Sequence, residues 1–440
     1  MRHLTGILAA LLLLAAAVGA AQAAGRDTTL RTRDNSPLCG FYYFFHWWEP
    51  WRTDDALVLK DLKQIKAMGC NTLFIDSEWI QAMSLEWFWL DRGHRLAREA
   101  GLEILPWLSL KEWADLGSPD RMERIKETYG AELKLGLDSE GKPDRIIPYD
   151  AGTIEAGYRY CDEYLERYLN DGALLRVWDE GKLKPVIAIT VELEWQGSDD
   201  EVSCQLFRKH LLAKYTDIAG INKAWGTRFG SADEIRLMDM KLFDFEAYLA
   251  GKARHTRAIK DQIDFRARVQ NDAMAEIKRR LKNKYPDLLI ATELPYEMYS
   301  QHPHGRGYEA YGAATPETTR HAEINVLRCT GYLSKKTEDA LIKWQKDTGQ
   351  HLVITYRTYR AMADFMIREK KTDYYGIGAQ AARIGDGFGF YSWNEMVDTH
   401  IAAEPDIDHP YGGEFMNKDQ SDAWRALASQ QIREYRSIVK

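Results

Sequence analysis

The stretch Pro185-Val-Ile-Ala-Ile-Thr-Val-Glu-Leu-Glu-Trp-Gln-Gly197 decides how this chain folds. Pro185 to Thr190 is an apolar, largely β-branched run, the pattern of a parallel strand covered on both faces. Side chains alternate along a strand, so Thr190, Glu192 and Glu194 share one face. Burying two acids on that face is costly unless they are paired or used. The place that uses them is the mouth of a (β/α)8 barrel, where the C-terminal strand ends carry the active site.

Working outward, strand-like and helix-like segments alternate. Gly40 to Trp48, Asn71 to Trp79 and Leu102 to Leu110 read as strands one to three. Between them, Asp54 to Met68 and Leu85 to Ala100 have helical spacing and stop at Gly69 and Gly101. Gly117 to Asp150 reads as a polar loop over the barrel mouth. Ile154 to Leu169 is helical, and Pro185 to Glu194 is strand four. A helical excursion covers about 201–285, after which Leu288–Pro295, Ala322–Tyr332, His351–Tyr359 and Gly387–Glu395 supply strands five to eight. Lys418 to Lys440 reads as an amphipathic closing helix. The expected architecture is α/β: a (β/α)8 TIM barrel with a helical insertion after strand four. An open, doubly wound nucleotide-binding sheet is disfavoured, because Gly385-x-Gly387-x-Gly389 enters a strand rather than leaving one.

The strand-four segment resembles that of clan A glycoside hydrolases, especially the β-galactosidase families 35 and 42. Their run ends in Glu-Asn-Glu-Tyr-Gly, with the second Glu as acid/base. Glu194 falls on that Glu, Trp195 on the Tyr and Leu193 on the Asn. A second likeness lies in the excursion, where Asn222-Lys-Ala-Trp-Gly-Thr227 follows Tyr215 and precedes Phe229. Family 42 carries a similar Leu-Asn-x-Ala-Trp-Gly-Thr-x-Phe there. The role implied is structural: Trp225 packs and Gly226 turns the chain. The resemblance implies a barrel hydrolase with a carbohydrate substrate.

Glycoside hydrolysis needs two carboxyl groups flanking the scissile bond. Glu194 is the expected general acid, with Glu192 one layer deeper in a supporting role. The family's second carboxylate ends strand seven. Here that strand reads His351-Leu-Val-Ile-Thr-Tyr-Arg357, so Tyr356 stands where the nucleophile is expected. The substitutes are Glu395, in a Tyr391-Ser-Trp-Asn-Glu395 run similar to the last strand of the family 71 and 99 barrels, and Glu293, ending strand five. Trp393 and Asn394 accompany Glu395 as candidate substrate contacts. Tyr356 is a further candidate contact, or a phenol nucleophile of the kind sialidases use. Whether the outcome is retention or inversion stays open. Arg328 and Arg357 at strand ends suit a carboxylated or sulfated glycan, or else neutralise the acids. Trp47, Asp76 and Glu78, after strands one and two, complete the expected site.

Composition fits this reading. The chain has 440 residues, 45% hydrophobic, with 59 basic and 66 acidic side chains and a net charge of −7. That balance argues against nucleic acid as a partner. Arg2 and His3, the apolar run Ile7–Val18 and Ala21-Gln-Ala23 form a secretory signal over 1–23. Residues 24–440 then read as one catalytic barrel domain, periplasmic or secreted, with no membrane anchor after cleavage. The five cysteines show no disulfide or metal-like spacing, and His302-Pro-His304 alone does not make a metal site. No metal and no cofactor are expected. The alternative to a hydrolase is a non-catalytic carbohydrate-binding protein on a degenerate barrel.

Overall fold

The computed structural model describes residues 29–45, 51–76, 87–109, 119–137, 141–190, 200–237, 254–295, 319–329, 331–357, 375–396 and 418–439, with isolated 247 and 252. Eight parallel strands close into a barrel: β1 Cys39–Tyr42, β2 Thr72–Asp76, β3 Glu103–Ser109, β4 Lys182–Thr190, β5 Leu289–Pro295, β6 Ile324–Cys329, β7 His351–Arg357 and β8 Gly387–Tyr391. Each pairs with its successor, and β8 returns to β1 through Phe388, Gly389 and Phe390 beside Cys39, Gly40 and Phe41. The expected (β/α)8 barrel is the observed fold.

Register fixes which side chains fill the interior. Gly389 lies beside Gly40, Gly40 beside Thr72, Asp76 beside Trp107, Trp107 beside Ala188 and Ala188 beside Ala291. Continuing round, Glu293 lies beside Val326, Arg328 beside Thr355 and Arg357 beside Tyr391. Rings on this face meet across the barrel. Tyr42 stands 5.2 Å from Phe74, 5.3 Å from Trp107 and 4.8 Å from Tyr391. Two glycines make room for them. A Cβ on Gly40 would come within 2.3 Å of the Thr72 carbonyl oxygen. One on Gly389 would come within 2.7 Å of the Phe74 ring.

The helices wrap the outside: α1 Asp55–Ala67, α2 Phe88–Ala100, α3 Pro119–Tyr129, α4 Ala151–Tyr168, α5 Glu201–Tyr215, α6 Ile218–Trp225, α7 Thr256–Lys284, α8 Lys335–Thr348, α9 Ile377–Ile384 and α10 Lys418–Ile438. Aspartates cap several of them. Asp54, Asp150, Asp200 and Asp217 each accept a backbone N–H of the first turn, satisfying donors that a helix start leaves open. None of the described helices is long and apolar enough to cross a membrane.

One segment differs from expectation, and another carries a core of its own. The stretch Gly117 to Asp150 is not purely loop: it holds α3 and a small hairpin, Leu135–Leu137 with Pro143–Ile146. Buried Ile125, Ala131, Leu133 and Ile146 anchor it to the main core, an apolar signal that the polar average hides. The excursion after β4 builds a second small core of Cys204, Phe207, Leu211, Ile221, Ile235, Leu237 and Phe265. Gly226 ends α6 at φ 69°, a left-handed turn that favours glycine. The Asn222 amide oxygen accepts from Thr227 and from the Phe229 backbone, and Trp225 stacks on Phe207 at 6.1 Å. This motif is a folding element, as its residues implied.

Candidate active site

The described floor of the barrel mouth holds one carboxylate, two guanidiniums and three aromatic rings. Glu293 is the third interior residue of β5 and 8% exposed. The Arg328 Nε, from β6, lies 3.2 Å from its Oε1. Register explains the contact, because Glu293 pairs with Val326 and Arg328 stands one interior position further along. The Arg328 guanidinium sits 4.9 Å from the centroid of the Tyr391 ring, and Arg357 approaches the same ring at 5.6 Å. A ring approached by guanidiniums at these distances is held by its quadrupole as well as by packing. Tyr42 and Trp107, 4% and 3% exposed, complete the floor. Thr190 ends β4 on the same interior face, beside Ser109.

Several expected site residues lie elsewhere. Tyr356 is fully buried on the outer face of β7, where its hydroxyl donates to Gln380 of α9 at 2.9 Å. Its neighbour Arg357 takes the interior face, since adjacent strand residues face opposite ways. A Tyr356 phenol so placed is a packing residue, neither substrate contact nor nucleophile. Trp393 and Asn394 are likewise fully buried. Trp393 packs edge-on against Phe41 at 5.3 Å. Asn394 accepts from the Phe44 backbone N–H at 2.8 Å and donates to the Phe44 carbonyl at 3.2 Å. Both fasten the end of β8 to the chain leaving β1 instead of lining the cleft.

Glu192, Glu194 and Trp195 fall outside the described residues, as do Trp47 and Glu78; Asp76 and Glu395 are described in their backbone alone. The structure therefore brings together Glu293, Arg328 and Arg357 from the expected set. It adds Tyr391, Tyr42 and Trp107, which sequence reasoning passed over. Their signal was available: Gly387, Gly389 and Tyr391 share a parity that a sheet either faces inward or outward as a whole. Among the described residues no cluster of His, Cys, Asp or Glu is arranged to hold a metal ion.

No protein-family model and no curated protein matches the chain. Solved structures share its fold. The catalytic domain of a β-amylase from Paenibacillus polymyxa superposes with a TM-score of 0.59 at 14% identity, over 89% of this chain and 97% of that one. A β-galactosidase from the haloarchaeon Halorubrum lacusprofundi does so at 0.58 and 13% identity, over 90% of this chain and 58% of that one. A catalytic mutant of a GH42 β-galactosidase from G. stearothermophilus gives 0.58 and 14% identity, over 93% and 58%. The chain thus spans little more than half of either galactosidase.

Proposed function

We propose that the protein is a secreted or periplasmic glycoside hydrolase acting on an oligo- or polysaccharide. Glu194 is its general acid/base, and Glu293 or Glu395 is the partner carboxylate. The observation that carries the reading is Glu293 on the interior face of the mouth, in ion-pair contact with Arg328. Barrel enzymes place their chemistry at this rim. A carboxylate held against a guanidinium suits the roles that use the anion, nucleophile or base for water. In sequence, Glu192 and Glu194 follow the interior-facing Thr190 by two and four positions, which supports the same face for both. Proteins named as β-amylase and β-galactosidase share the fold, an analogy that favours a carbohydrate substrate. Arg328 and Arg357 at the floor favour a glycan bearing carboxylates or sulfates. The signal-like pattern of residues 1–23 favours export.

The test is reducing-end release from a panel of neutral, uronic and sulfated polysaccharides, by wild type and by Glu194→Gln. Cleavage that disappears with this change supports the assignment. Cleavage that survives it unchanged removes Glu194 from the mechanism. Binding across the panel with no cleavage would leave the non-catalytic reading.

A further inference from the structure

A second feature lies outside the barrel. A groove of about 800 Å³ runs along the outer face of α2, bounded by the start of α1 and the end of α4. That volume is within the range of about 300–1,000 Å³ typical of ligand sites. Five arginines and three aspartates contribute to its lining.

The charges are unevenly spent. Asp55 accepts from both Arg92 and Arg95. Asp171 accepts from His94 Nδ1 and from Arg98, as well as from the backbone N–H groups of Ala173 and Leu174. Asp91 accepts from the Tyr168 hydroxyl at 2.6 Å. Burial pushes the Asp55 and Asp171 carboxyls up. Their arginine and histidine partners outweigh it and hold both below the ordinary carboxylate range. All three acids are therefore committed. Among the described residues, three of the arginines use little of their hydrogen-bonding capacity. Arg95 gives one nitrogen to Asp55, Arg98 one to Asp171, and Arg167 one to Glu163 at 3.4 Å. These three side chains are 50%, 42% and 40% exposed. The Nη2 of the 5%-exposed Arg92 has no hydrogen-bond partner among the described residues. A guanidinium carries five N–H donors, so among the described residues most of the donors of Arg95, Arg98 and Arg167 meet no hydrogen-bond acceptor. Phe88, 59% exposed, presents an apolar ring beside it, in contact with Trp89 at 4.9 Å.

We propose that this groove is a second binding site, separate from the barrel mouth, for an anionic saccharide. Carboxylates or sulfates would sit on Arg95, Arg98 and Arg167, and a sugar face on Phe88. Unspent fork-shaped donors recognise planar or tetrahedral oxyanions, and an exposed ring beside them suits the apolar face of a pyranose. The choice of a saccharide over other polyanions rests on the hydrolase reading. The site itself rests on the groove alone.

Affinity electrophoresis tests it, with oligogalacturonate, dextran sulfate, neutral dextran and duplex DNA as probes. Wild type is compared with Arg95→Gln/Arg98→Gln, with Arg167→Gln, and with Arg328→Gln at the mouth. Retardation by the two anionic glycans is expected. It falls at least tenfold in the double variant and severalfold in Arg167→Gln, and it persists in Arg328→Gln. Hydrolysis of short soluble substrates is unchanged in the groove variants. Equal retardation of wild type and both groove variants, or stronger retardation by neutral dextran or duplex DNA, overturns the proposal. The single variant keeps the test valid if the double one unfolds. Failure of the hydrolase reading is distinguishable, since groove binding would then persist with no cleavage of any glycan.

Discussion

Arg328 and Glu293, on adjacent strands, meet at 3.2 Å on the interior face of the barrel mouth, with the Arg328 guanidinium also 4.9 Å from the Tyr391 ring. The pair is the one acid–base contact of the expected set that the described structure holds together. It is nearly closed to solvent, at 20% and 9% side-chain exposure, so breaking it leaves a poorly solvated charge.

Glu293→Gln keeps the shape of the side chain and removes its charge. If Glu293 is the partner carboxylate, kcat falls by a factor on the order of 10²–10⁴ while the fold persists. Glu395→Gln is the parallel measurement, and the larger loss of kcat identifies the partner. A Glu293→Gln enzyme with wild-type kcat excludes Glu293 from the chemistry.

Tyr356→Phe removes one buried hydroxyl and its bond to Gln380. The expected cost is about 0.5–1.5 kcal/mol of stability by urea denaturation, with kcat and KM unchanged. A large drop in kcat in a stably folded variant would falsify the packing assignment and restore the phenol as nucleophile.

Gly389→Ala places a methyl 2.7 Å from both the Gly40 carbonyl oxygen and the Phe74 ring. Overpacking of this kind costs roughly 1–3 kcal/mol. A lower urea midpoint with an unchanged slope is the expected result. A neutral effect would mean that both the Gly40 carbonyl and the Phe74 ring have room to retreat.

Asp261 of α7 has a fully buried side chain that accepts from Lys214 at 2.8 Å, the Tyr215 hydroxyl at 2.6 Å and Trp225 Nε1 at 2.8 Å. Burial raises its pKa. The bonds from Lys214, Trp225 and Tyr215 overcome this and hold it below the ordinary carboxylate value. A carboxyl depressed in the folded state contributes stability that is complete above the unfolded value, about 3.9. That stability is lost as pH falls through the lower folded value. Asp261→Asn should therefore destabilise the protein at pH 7, with the gap from wild type closing as pH drops below about 4. Urea titrations from pH 6 to pH 3 measure this, and a gap independent of pH refutes the electrostatic account.

Much of the barrel could be read from the chain, because its signals are local. The apolar run Pro185–Thr190 and the helix stops at Gly69 and Gly101 depend on near neighbours along the backbone. So does the Asn222–Thr227 turn. Strand alternation also separates Tyr356 from Arg357 and Tyr391 from its neighbour Ser392, whichever fold forms. What local pattern does not contain is the sign of that alternation. Only closure of β8 onto β1 makes the parity of Gly389, Thr355, Arg328 and Glu293 the inner one. With that sign set, Tyr356 points out to Gln380 and Trp393 packs behind Phe41. The groove along α2 has the same origin. Its arginines come from the turn before α1, from α2 and from the end of α4. Which carboxylates satisfy them is a matter of distances across three helices, set by packing rather than by order in the chain.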